Sequence, residues 1–130
     1  MKPIPFVILA LLSSASASAE QLICHTTYGG ETQVHRIAPA SSPYAVAGIH
    51  IGSYFLFRPV FQNAPADLAS IKLYTYVDRD GGPAMIHQAS YAYPPGPEAS
   101  GRHGFTGLQR VYEPVRDSEL EFWCEMEATR

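Results

Sequence analysis

The 130-residue chain has no apolar run approaching the roughly 20 residues needed to span a bilayer as a helix. Its most apolar stretch, Ile4 to Leu12, is far shorter and is broken at Pro5. Helical periodicity is lacking as well: no window of eleven or more residues repeats apolar positions every 3.6, which argues against a helical bundle. Lysine is almost absent, and positive charge is scarce overall. Once Lys2 is set aside, eight basic residues face twelve acidic ones, a net charge of about −4. That argues against a nucleic-acid partner, since phosphate binding needs a basic face. Cysteine occurs only twice and never as C-x-x-C, so no ligand spacing supports a Cys–His metal site, although His25 stands beside Cys24. Neither G-x-S-x-G nor H-E-x-x-H is present. The sequence therefore names no catalytic residue, and its reading leans away from an enzyme.

The first nineteen residues, "MKPIPFVILALLSSASASA", have a single basic residue, a short apolar core and a small-x-small end at Ala17-Ser18-Ala19. That is the pattern of a secretory signal peptide. It divides the chain into a signal segment, residues 1–19, and one domain, residues 20–130, exported to the periplasm or beyond. A bacterial lipid anchor is not expected, because Ile23 precedes Cys24 where a small residue would be needed. No membrane span remains after cleavage. In an oxidising compartment Cys24 and Cys124 are expected to pair, closing a loop across nearly the whole domain. The bridge would bring the first and last strands within a Cα separation of about 4.4–6.8 Å.

Glycine and proline punctuate the chain every 8 to 15 positions, and Val, Ile, Thr, Tyr and Phe fill the runs between them. This is the pattern of an all-β protein, a small antiparallel β-sandwich or barrel of about seven to eight strands with one disulfide. Gly29-Gly30 reads as a primed hairpin turn. "AVAGIHIGSYFLFRPVF" reads as one long strand region, with Gly48 and Gly52 as bulges and Pro59 as an edge or a break. In the last strand Leu120, Phe122, Cys124 and Met126 alternate inward, and Glu119, Glu121, Trp123, Glu125 and Glu127 outward.

One segment, "YVDRDGGPAMIHQ", allows two readings. As a calcium loop starting at Asp78 it has Asp80 in place, but Gly82, Pro83 and Ala89 fall where an oxygen ligand, the glycine and the bidentate glutamate belong. As a hairpin it reads well, with Asp80-Gly81 as a type I′ turn. That register pairs Val77 with Ala84, Thr75 with Ile86 and Tyr74 with His87. It gathers Tyr74, Tyr76, Met85, His87 and Tyr91, continuing to Tyr93, on one face as a candidate binding surface. Aromatic rings beside proline and glycine suit a peptide, a glycan or a protein groove. The following loop, Pro94 to Gly104, ends in Arg102 and His103 and is a second candidate.

Three functions are compatible with these features. The first is a non-catalytic binding module in a cell envelope, its partner an unknown protein, peptide or glycan, with no cofactor. The second is a periplasmic copper- or zinc-binding protein built on some of His25, His35, His50, His87 and His103, although none of these has metal-pair spacing. The third is a small hydrolase using acidic residues of the last strand, whose spacing of about 7 Å falls in a carboxylate-pair range. In size, export signal and single bridge the chain resembles the small periplasmic lysozyme inhibitors, a likeness of architecture without a shared motif.

Overall fold

The structure is a computed structural model, and it describes residues 2–5, 20–96 and 101–127. Most of the expected signal segment, with its cleavage site, lies outside the described residues, as do residues 97–100 of the long loop. Eight strands form two antiparallel four-stranded sheets. They are β1 (Leu22–Tyr28), β2 (Glu31–Ile37), β3 (Ile49–Ile51), β4 (Phe55–Gln62), β5 (Ser70–Val77), β6 (Ala84–Ala92), β7 (Gln109–Glu113) and β8 (Ser118–Met126). One sheet runs β2-β1-β8-β7 and the other β3-β4-β5-β6. Among the described residues no helix is long and apolar enough to cross a membrane.

Period-2 alternation explains the sandwich. On β5, Ile71, Leu73, Thr75 and Val77 are all buried, and the residues between them are half-exposed. Leu120, Phe122 and Cys124 of β8 alternate inward as the sequence reading expects. Phe57 meets Phe122 across the core, ring centroids 5.0 Å apart. At about 25 cal/mol per Å² of apolar surface, each such ring contributes on the order of 2–3 kcal/mol of burial. Cys24 and Cys124 are directly opposed on neighbouring strands, bridged with Cα atoms 4.1 Å apart. That is slightly less than the expected range and close to a non-hydrogen-bonded antiparallel pair.

Four sequence expectations are corrected. The region from Ala45 to Phe61 is not one strand: Gly52, at φ +62°, turns β3 back onto β4. The ring of Tyr28 lies where a Cβ on Gly52 would go, so glycine is required there by packing and backbone together. Pro59 sits inside β4, paired with Leu73, rather than at a break. Phe61, two residues on, accepts from Ala40 N–H, so this set of β4 residues turns its backbone away from β5. β3 ends opposite Phe57, two residues before Pro59, and no ladder bond is lost.

The other two corrections concern the β5–β6 hairpin. Gly82 N–H donates to Arg79 C=O, as a closing pair should, and Val77 does face Ala84. Yet Asp80 and Gly81 are not at positive φ, and Gly82 is, at +106°. The turn is therefore not type I′; it is a turn followed by a left-handed glycine. The register then shifts between Thr75 and Tyr76, leaving Ile86 as an extra residue. Thr75 faces His87, and Tyr74 faces Gln88. A one-residue bulge reverses the facing of everything beyond it.

Candidate functional site

That bulge divides the residues of the expected aromatic surface. Tyr74 and Tyr76 remain on the outer face, ring centroids 6.5 Å apart, beside an exposed Met85. Arg58 lies over the Tyr74 ring at 5.4 Å and donates to the carbonyls of Val46 and Pro43. The segment carrying those carbonyls, with its single 3-10 turn at Pro43–Ala45, is thereby held beside β4. His87 instead turns inward, edge-on to Phe122. Its Nδ1 and the Thr75 hydroxyl are buried without a hydrogen-bond partner among the described residues. Tyr91 and Tyr93 also pack against the core.

Those two inward tyrosines support a different site. Tyr91 packs edge-to-face on Phe105, and the Tyr93 hydroxyl donates to Glu20. Phe105 and Glu20 both line a cleft of about 450 Å³, and Trp123, Met126, Pro94 and Pro95 extend its apolar wall. Arg102 and Glu125 add charge of both signs. Trp123 is outward on β8, as its alternation predicts, and stacks on His25 of β1 with ring centroids 3.8 Å apart and planes 6° apart. His103 meets the same indole edge-on at 5.6 Å. Glu125 takes the other end of His25, with Oε2 2.8 Å from Nε2. The tryptophan is thus fixed from two sides.

The loop that forms one wall is anchored to the β8 backbone just before the start of β7. Cys124 N–H donates to the Thr106 hydroxyl, and Phe105 N–H to Cys124 C=O. Gly104 lies so close that a Cβ would come 2.0 Å from the Cys124 carbonyl oxygen, and its φ is +63°. No side chain fits that position. The cleft volume lies in the range of small-ligand sites, which combine apolar walls with a few polar groups. Sequence reading found the loop and the outward tryptophan separately. It missed their convergence with Glu20, because period-2 alternation carries no information about which loop crosses which strand.

The other candidates resolve into structure. Arg110 lies 3.8 Å from Glu119 and 3.2 Å from Glu121, and Arg36 lies 3.1 Å from Glu127. The acidic row of β8 is a partly neutralised sheet face, not a carboxylate cleft. Glu125 is its one member in the cleft. Thr26 Oγ1 is 2.9 Å from His35 Nε2, but Thr26 is buried, with no room for a substrate. Burial, with His25 adding to it, holds His35 below the usual imidazole range. Among the described residues no group of three or more His, Cys, Asp or Glu side chains is placed to hold a metal ion.

Glu113, which sequence reading passed over, is the most buried charge described. Its carboxylate accepts from the N–H groups of Val115 and Arg116 at 2.8 and 2.9 Å, and from Arg79 at 3.4 Å. Burial raises its pKa; hydrogen bonds from Tyr54 and the two amides, with the Arg79 charge, outweigh this and hold it below the ordinary carboxylate value. Tyr54, buried and bonded to it, is pushed up, while the Arg116 guanidinium covers the Tyr54 ring at 4.3 Å. This cluster ties together three turns at one end of the sandwich. Its carboxylate is fully buried and held by these donors, and the cluster acts as a clasp between the turns.

No known protein family, curated protein or solved structure matches the chain. The disulfide is consistent with an oxidising compartment.

Proposed function

We propose that the protein is an exported, non-catalytic binding module of the cell envelope, and that its ligand, a peptide or glycan segment, enters the cleft beside Trp123. The observation that carries this reading is the cleft itself. Trp123, Phe105 and Met126 offer ring and thioether surface next to Glu20, Glu125 and Arg102. A tryptophan gives large contact area at low entropic cost, and flanking charges orient a polar chain. His25 and His103 preorganise the indole, which lowers the ordering cost of binding.

Trp123 is the only tryptophan in the chain, so its fluorescence reports on this site alone. The test is affinity capture from envelope extract, followed by fluorescence titration with the captured component. Wild-type protein should retain a component that shifts the emission. Retention should fall at least tenfold with Trp123→Ala and with Arg102→Glu, while circular dichroism stays unchanged. Retention equal in both variants would remove the cleft from the reading. A second reading, hydrolysis, draws on the two carboxylates that line the cleft. Both already carry partners, Tyr93 and His25, which favours binding over turnover.

A further inference from the structure

Two sheets in an open sandwich leave four edge strands, and three of these carry features that discourage further pairing. β3 is three residues long. β7 is five residues long and is followed at once by Pro114. β6 is interrupted by the bulge at Ile86. β2 has none of them. It runs seven residues, "ETQVHRI", without proline, bulge or lysine, and its first four residues are exposed on both faces.

Among the described residues, the hairpin register shows which backbone groups β2 leaves open. Gly29 and Gly30 are both at positive φ, the two-residue primed turn, so Tyr28 and Glu31 form its hydrogen-bonded closing pair. Alternation then directs the amides and carbonyls of Gln33, His35 and Ile37 at β1. Those of Thr32, Val34 and Arg36 point away from the sheet. These three residues also carry outward side chains, and Val34 is 56% exposed.

We propose that β2 pairs with β2 of a second copy, antiparallel about a two-fold axis through Val34, joining two sheets into one of eight strands. The register is self-complementary. Val34 meets Val34 of the second copy, Thr32 meets Arg36, Gln33 meets His35 and Glu31 meets Ile37. All six open backbone groups of each strand gain partners, and no like charges are opposed. Such closed two-fold pairing is the commonest symmetry of homo-oligomers. One strand edge buries less than the roughly 1,600 Å² of a standard interface, so the dimer is concentration-dependent. It has a functional geometry independent of what the cleft binds. Val34, His25 and Trp123 lie in one row across β2, β1 and β8. Pairing continues that row into the second copy and sets the two tryptophans roughly 24 Å apart on one face, at about 4.8 Å per strand.

The test is sedimentation of the exported protein from about 1 µM to about 1 mM, a range that spans weak association. The mass should approach twice that of the monomer. Amide exchange at Thr32, Val34 and Arg36 should slow with concentration, while Gln33 and His35 stay unchanged. Val34→Pro removes an N–H that the monomer does not use, and Val34→Lys adds like charge at the axis. Both should remain monomeric throughout, with native circular dichroism. A wild type that stays monomeric, including one that accepts only a foreign strand, overturns the proposal. So does a dimer that both variants leave intact.

Discussion

The two sheets are built from different kinds of sequence separation. The β3-β4-β5-β6 sheet is a meander in which every neighbour in space is the next strand in the chain. The β2-β1-β8-β7 sheet is two hairpins from opposite ends of the chain, joined only along β1–β8. Closing a local hairpin costs little chain entropy, whereas joining strands a hundred residues apart costs much more. The disulfide lies on that one non-local seam, between Cys24 and Cys124. Covalent reinforcement is placed where pairing is entropically hardest, and the meander has none.

Removing the bridge tests this contrast with the largest expected effect. Replacing both cysteines with alanine should destabilise the protein by up to about 4–5 kcal/mol in the chain-entropy model. Urea unfolding followed by amide exchange would show β1 and β8 losing protection before β4 and β5. Simultaneous loss in both sheets would erase the distinction. Next come the rings that join the sheets. Phe57→Ala and Phe122→Ala should each cost about 3–5 kcal/mol. The double variant should cost less than their sum, because the two rings touch.

A smaller effect is expected where the seam meets its covering loop. Gly104→Ala should cost at least about 1–3 kcal/mol, from a strained left-handed backbone and a clash with Cys124. It should also perturb Trp123 fluorescence, which substitutions on the exposed outer face of the meander should not do. The Glu113 clasp joins turns of both sheets and gives a pH signature. Its folded-state pKa is depressed, so its stabilisation is present above the ordinary value of 4.5 and is lost as pH falls through and below it. The urea midpoint of wild type should therefore drop below about pH 4.5, and Glu113→Gln should lower the midpoint at neutral pH while flattening that acid limb. The smallest change belongs to the exposed outer face of the meander, where Met85→Thr should stay within about 0.5 kcal/mol.

The β-class, the strands, the inward face of β8 and the cysteine pair were legible because each rests on local alternation or composition. The hairpin at Val77–Ala84 was legible for the same reason. Its bulge was not: Ile86 is as suited to a strand as its neighbours, and nothing local marks it as the extra residue. That single shift moved His87 and Tyr91 from the expected surface into the core. Glu113 was hidden differently. In sequence it is one more acid near an acidic C-terminus, and only the fold brings Tyr54, Arg79 and two turn amides around it. The cleft required loop and strand to meet, which no periodicity encodes.

The bridge between β1 and β8 also fixes how the molecule bears tension. A pull on the two ends of the chain enters at Cys24 and leaves at Cys124. The load passes through the sulfur–sulfur bond and bypasses every residue between them. The ladder bonds between the bridged residues, the clasp and the loop wall of the cleft lie outside that path, whereas Leu22, Ile23, Glu125 and Met126 lie on it. A tether at either end can be strained without unfolding the residues that the bridge encloses.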